Sequence, residues 1–293
     1  MITELKLLKN KTFQKGFIDF MVKLFVHRKF SAQQFWNEFV VANLVDERRF
    51  KLWLQRYFRS QGRAVLASMP KSFTKERDPF WDLYLPEWNE RLKTETSKHY
   101  KKVVKREGKR VAENLNEFAG GDFEMRFDVE NPNIQQVIER NSGKLAYTVN
   151  GTTVEDVRRT VQVGISGGKT IPEIRESIRF YFKGAENYRA ERVARTETIR
   201  ASNYAAVETY KQSGIVEKKT WYTALDERTC PYCDLMHGRT ISIEQPFYNE
   251  GELAPGVNTE IPLPLNYETV EAPPLHPQCR CTVLPVLIPL SRI

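Results

Sequence analysis

The chain has 293 residues, and its 45 Lys and Arg outnumber 37 Asp and Glu, for a formal net charge of +8. A hydrophobic fraction of 41 % with 28 % charged residues fits a soluble globular core. No apolar run approaches the roughly twenty residues that cross a bilayer, which excludes a membrane-spanning helix.

A basic balance of this size favours polyanion partners such as DNA, RNA or anionic lipid; plain colloidal solubility is the alternative. The opening "MITELKLLKNKTF" has basic residues but no apolar stretch behind them, so no secretory signal is expected and the expected site of synthesis and residence is a cytoplasm. Thiols stay reduced there, and clustered cysteines then read as metal ligands before they read as disulfides.

In chain order, Phe13 to about Phe118 is helical in character. In "FWNEFVVANLVDERRFKLWLQRYF" the residues Phe35, Phe39, Val40 and Leu44, then Phe50, Leu52, Trp53, Leu54 and Phe58, follow a helical period, with a break expected near Asp46. "MPKSFTKERDPFWDLYLPEW" carries three prolines and reads as an irregular connection. The next helix sets Lys98, Lys101, Lys102, Lys105, Arg106, Lys109 and Arg110 at helical spacing. This stripe reads either as a solvated face or as a surface for DNA phosphates, which lysines bind without reading sequence.

Two glycines then break the helix, and "FEMRFDV" alternates Phe123, Met125 and Phe127 with polar residues, as a short strand does. The segment from Asn131 to Phe182 reads as two or three helices joined by glycine turns, with starts at "TTVEDV" and "TIPEI". Another helix is expected from Glu186 to Gly214; it is rich in Ala, Ser and Thr, so a neighbour can pack closely on it. "KKTWYTAL", "RTISI" and "TVLPVLI" read as strands, the first with Trp221, Thr223 and Leu225 on one side. Together these elements make an α+β chain: a helical, basic region over 1–120, a helical lead-in over 121–185, and a small α+β domain over 186–293 stapled by a cysteine cluster.

All four cysteines fall into two tight pairs. Cys230 and Cys233 form a C-x-x-C, with Pro231 suited to a knuckle whose N–H groups point at sulfur. Cys279 and Cys281 form a C-x-C with His276 three residues before, and 45 residues separate Cys233 from Cys279. Two local pairs brought together give four soft ligands, the logic of a structural zinc site. In a straight strand residues i and i+2 lie about 7 Å apart, too wide for one zinc, so the "QCRC" backbone must bend or His276 must replace one thiolate. His237, four residues after Cys233, is either a further ligand or a solvent-facing turn residue. Asp226 caps the turn after the Trp221 strand or pairs with Arg228 or Arg195; acid–base or metal chemistry is its other reading. Arg195 and Glu197, in "ARTET", read as an ion pair or hydrogen-bond anchor to the strand and knuckle. Between the pairs, Glu244 to Pro277 has many prolines, several acids and no Lys or Arg, and reads as a long loop suited to a protein partner rather than to DNA.

The ordered set "ARTETIRASNYAAVETYKQSG", "KKTWYTALDERTCPYC" and "PPLHPQCRCTVLPV" resembles the phage Mu F-like head-morphogenesis domain of minor capsid proteins in tailed bacteriophages, over roughly Phe127 to Val286. On this resemblance the motif residues are Arg195, Thr196, Glu197, Trp221, Asp226, Cys230, Cys233, His276, Pro277, Cys279, Arg280 and Cys281. The resemblance implies a non-enzymatic, low-copy head protein made in the host cytoplasm and kept in the virion, in contact with portal or major capsid protein and, without sequence preference, with double-stranded DNA. Some members carry a C-terminal toxin domain; ending at "LIPLSRI", this chain is expected to carry none. The rival reading is a metal-dependent nuclease or hydrolase using Asp226, His237 or His276.

Overall fold

The computed structural model describes residues 31–69, 85–119, 123–224 and 226–288. The helical reading before Ser31, most of the proline-rich connection, the glycine break at 120–121 and the side on which Leu225 falls lie outside the described residues. Among the described residues five long or medium helices come first: α1 (Ala32–Ser68), α2 (Leu85–Ala119), α3 (Pro132–Ser166), α4 (Ile171–Gly184) and, after one π-helical turn at Ala185–Arg189, α5 (Ala190–Ser213). Then follow β1 (Val216–Tyr222), the short α6 (Pro231–Met236), β2 (Thr240–Ser242), β3 (Leu253–Gly256), β4 (Thr259–Pro264) and β5 (Thr282–Leu287). The architecture is α+β, helical first and then a small sheet. Among the described residues no helix is long and apolar enough to cross a membrane.

Contacts divide the chain into two units. One takes the described residues up to Leu44, Val104–Asp128 and those from Ile199 onward. It holds the sheet, ordered β2-β1-β5 and antiparallel throughout, and the β3–β4 hairpin. Its core gathers Trp221, Phe247, Leu265, Leu275 and Val283 with Tyr210, Leu115 and Val111. The other unit is Val45–Val103 and Val129–Thr198. One of its cores is built on Phe50, Leu54, Tyr57, Phe58 and Leu92; another is built on Val157, Val161, Ile174, Ile178 and Phe182. A buried polar knot crosses the first: the Tyr57 hydroxyl (2.7 Å) and the Gln61 amide (3.0 Å) both donate to Asn150 Oδ1, whose Nδ2 donates to Asn89 (2.7 Å).

Several local expectations change. Helix α1 runs unbroken through Asp46, which is buried and ion-paired with Lys102 at 2.7 Å. The segment from Asn131 to Phe182 holds two helices, α3 and α4, but none starts at "TTVEDV": Asn131 caps α3, accepting from the Asn133 N–H, and Pro132 is its first residue. The "TTVEDV" threonines sit mid-helix, where the Thr152 and Thr153 hydroxyls donate back to the carbonyls four residues earlier. Gly143 and Gly151 sit inside the helix; the turn comes at Gly167–Gly168, where Gly168 has φ 68°. "TIPEI" does start a helix, with the Thr170 N–H and hydroxyl both donating to Glu173 at 2.7 Å. The helix expected from Glu186 continues from α4 through the π turn.

"FEMRFDV" forms no strand. The Asn116 side chain bonds both the N–H (2.8 Å) and the C=O (3.0 Å) of Met125, doing what a ladder partner would do. Phe123 and Phe127 pack on the core of that unit, so the alternation reflects one buried side of an extended segment. The segment between the cysteine pairs carries the β3–β4 hairpin and buries Phe247, Leu265, Val270 and Leu275, which makes it part of the core rather than a bare loop.

Candidate metal centre

β1 ends at Tyr222, and a turn over Asp226–Thr229 delivers Cys230 as the N-cap of α6. The Cys230 sulfur accepts the Cys233 N–H at 3.3 Å, which is how the C-x-x-C spacing and Pro231 in the first turn set both sulfurs on one side. Gly238, at φ 80°, then turns the chain back, and its N–H donates to the Trp221 carbonyl at 2.8 Å while the Trp221 N–H donates to Arg239 at 2.9 Å. The knuckle is thereby welded to the buried end of β1.

The second arm enters β5. The Cys279 N–H donates to the His276 carbonyl at 3.2 Å, and Gln278 adopts φ 67°. This turn supplies the bend that the C-x-C pair requires. Cys233, Cys279 and Cys281 form one triad of sulfurs, all buried and mutually within 4.8 Å; Cys230, Cys233 and His276 form a second, sharing Cys233. The Cys233–Cys279 sulfur separation is 3.7 Å, and His276 Nε2 lies 2.9 Å from the Cys230 sulfur and 3.2 Å from that of Cys233. Zinc–sulfur bonds of about 2.3 Å in a tetrahedron place neighbouring sulfurs about 3.8 Å apart, so the spacing fits a metal. His276 Nδ1 lies 2.8 Å from the Pro277 carbonyl, which accepts its proton and keeps Nε2 pointed at the sulfurs, the usual outer support of a ligating imidazole. The sequence weighed His276 as a substitute for one thiolate; here all five side chains converge.

The electrostatics agree. The Cys230 thiol is drawn down to about 4, chiefly by its hydrogen bond with Cys233 and, against the cost of burial, by His276. Cys233 is pushed up by hydrogen bonding to Cys230, Cys279 and Cys281. Burial opposes charge on Cys279, yet Cys233, Cys281 and His276 hold it low; Cys281 is raised, first by burial. Burial also disfavours the His276 imidazolium, but the Cys230 sulfur and the Cys279 charge hold it up at about 9. Sulfurs this close cannot all ionise without added positive charge, and a divalent cation supplies it. The cluster can hold a metal ion.

Arg280 stands between the two cysteines and faces the other way. Its guanidinium makes a fork with Asp226, at 2.9 and 2.7 Å, and its carbonyl accepts the Trp36 indole N–H at 3.1 Å. Asp226 also takes the Arg228 N–H (3.1 Å) and the Thr229 hydroxyl (3.3 Å), and Arg280 is the first cause holding its carboxyl below the ordinary range. So Asp226 caps its turn as expected, while its ion-pair partner is Arg280, on the opposite arm of the hook. His237 faces inward, 7 % exposed, with Nδ1 accepting the Thr223 N–H at 3.2 Å; the solvent-facing reading is corrected, and it lies outside both triads.

Trp221 is fully buried, edge-on to Phe247 at 5.1 Å. Arg195 pairs with Glu47 (3.0 Å) and Glu191 (3.3 Å), and Glu197 accepts from the Tyr100 hydroxyl: helical partners, where strand and knuckle were expected. On α2, Lys98, Lys101, Lys102, Lys105 and Lys109 are exposed, and Lys98 and Lys109 pair with Glu95 and Glu113. Arg106 and Arg110 turn inward. Arg106 donates to Asn43 (2.8 Å) and Ser202 (3.0 Å); Arg110 grips the buried Glu107 and lies over Phe35.

Asn203 was not singled out in the sequence. It is fully buried on α5, donates to the Cys281 carbonyl at 3.0 Å and accepts the Val283 N–H at 3.2 Å. Two turns on, the Tyr210 hydroxyl donates to the Val283 carbonyl at 3.1 Å. β5 is an edge strand, and these side chains satisfy its outward backbone groups. An Asn amid Ala and Ser on a helix meant for close packing was the available signal.

Residues 155–284 match the family model described as Phage Mu protein F like protein. Over this stretch the chain is similar to that family. The stretch takes in α5, β1 to β4, the first half of β5 and all five converging ligands. No curated protein matches the chain, and no solved structure matches it.

Proposed function

We propose that the chain is a structural protein of a tailed-phage head, a minor capsid component acting in head morphogenesis. On this reading it meets the portal or major capsid protein in the host cytoplasm and stays in the virion. The observation that carries the reading is the closure of both cysteine pairs and His276 into one ligand cluster inside the Mu F-like region. Zinc suits the donor set, and cysteines and histidine supplying four ligands make a closed, structural site. Asp226 committed to Arg280, and His237 Nδ1 committed to a backbone N–H, favour a staple over a hydrolytic centre. The exposed α2 lysines support contact with packaged DNA. Co-expression of the tagged chain with portal and major capsid proteins of its own phage tests the reading: retention of either on the tagged chain is expected, and loss of infectivity or headless lysates on deletion of the gene. Normal heads from a deletion phage would overturn it.

A further inference from the structure

The sequence stripe of lysines lies on α2, but the cationic face less neutralised by neighbouring carboxylates lies on α1. Arg48, Arg49, Arg56, Arg59 and Arg63 are all exposed. At about 100° per residue they fall, with Val45 and Leu52, within an arc of roughly 100° on one side of the helix. From Arg48 to Arg63 the face runs about 22 Å along the axis at ~1.5 Å per residue. No exposed acid interrupts it: the acids of this stretch are Asp46, buried, and Glu47, paired with Arg195. Arg59 meets Glu186, and Arg56 Nε donates to the Leu52 carbonyl at 3.2 Å. Arg48, Arg49 and Arg63 have no ion-pair partner among the described residues. The α2 lysines contrast with this, since Lys98, Lys102 and Lys109 each have a carboxylate beside them.

From this face we infer that α1 binds the phosphate backbone of duplex DNA through its arginine row. Like charges held in one line, only Arg59 of the five set against an acid among the described residues, cost self-repulsion that a polyanion relieves. Duplex DNA presents about one charge per 1.7 Å of axis, a linear partner for a linear row. Guanidinium forks take phosphate oxygens in pairs and stay charged at any working pH, which lysine ammonium groups match less well. Val45 and Leu52, 55 % and 47 % exposed, are short enough to sit against sugar edges between the arginines. Contacts to phosphate carry no sequence information, so binding through this row is without sequence preference. The inference does not need the head-protein reading; a chain that failed to retain portal protein would still carry this face.

The test is fluorescence anisotropy of a labelled duplex of about 30 base pairs with the full chain, titrated over salt, for the parent, an Arg48→Gln/Arg49→Gln/Arg63→Gln variant and a Lys101→Gln/Lys105→Gln variant. With a loss of ~0.9 in the slope of log K against log salt per phosphate contact, the arginine variant should lose about 2.7 of slope, and about tenfold or more in affinity at low salt. Unchanged helicity by circular dichroism keeps that result interpretable. The inference fails if the arginine variant binds as the parent does, if the lysine variant alone loses binding, or if the parent shows no DNA binding at low salt. It also fails if labelled poly-glutamate binds the parent as tightly as DNA does and loses binding equally in the arginine variant, because the face would then serve an acidic protein.

Discussion

Replacing Asn203 by alanine tests how the small-residue helix holds the metal-binding arm. The Asn203 side chain is fully buried and bonds the Cys281 carbonyl and the Val283 N–H, the latter on the outward edge of β5. Alanine leaves both backbone groups without these partners, in a site where alanine's own volume leaves a gap beside them. An orphaned buried donor or acceptor costs about 1–3 kcal/mol, so the pair is worth about 2–6 kcal/mol, against a total stability of ~5–15 kcal/mol for an ordinary domain. Tyr210→Phe removes only the hydroxyl that serves the Val283 carbonyl and should cost less, about 1 kcal/mol. Urea unfolding of parent and variants, followed by tryptophan fluorescence, reads the difference; Trp221, buried on β1 beside β5, is the natural reporter. An Asn203→Ala variant within about 0.5 kcal/mol of the parent would refute the reasoning, since surface changes typically fall in that range.

Cys233 belongs to both ligand triads, so Cys233→Ser should abolish metal retention, whereas Cys281→Ser should weaken it; metal content after exhaustive dialysis distinguishes them. Asp226→Asn should cost ~1 kcal/mol or less near neutral pH, because the pair with Arg280 is partly exposed. The folded-state carboxyl is depressed, so that stability is present above its unfolded pKa and fades as pH falls through the folded one; parent and variant unfolding midpoints should converge in acid. Gly108→Ala places a methyl 2.1 Å from the Phe127 ring, and overpacking of about 1–3 kcal/mol should outweigh the ~1 kcal/mol gain in helix propensity, read as a lower thermal midpoint.

What the sequence made legible follows the range of the forces involved. The strands around Trp221, Ile241 and Val283 and the capped start at Thr170 are local patterns, and they stand where the pattern placed them. Helix ends were less legible. Gly143 and Gly151 look like breakers, but nothing near either would meet an added Cβ, and the flanking helix simply continues. Asp46 looked like a break because its partner, Lys102, lies more than fifty residues on. Met125 looked like a strand residue because its true partner is a side chain, Asn116, rather than a second strand. The cysteine pairing was legible because four soft ligands in two pairs imply a shared ion. His276 was legible as a candidate ligand from its place three residues before Cys279; that it joins all four cysteines, that Arg280 reaches Asp226 and that His237 turns inward depend on the bend at Gln278 and on long-range packing, which residue spacing does not encode. The arginine row was missed beside a louder run of lysines.

The closed cysteine–histidine hook is most directly tested by zinc-edge X-ray absorption on the purified chain. The expected result is zinc bound by sulfur-dominated ligation at about 2.3 Å, either four sulfurs or three with one imidazole nitrogen, and no water ligand. A shell rich in oxygen and nitrogen with an exchangeable water, or a chain that folds fully and holds no metal, would contradict it.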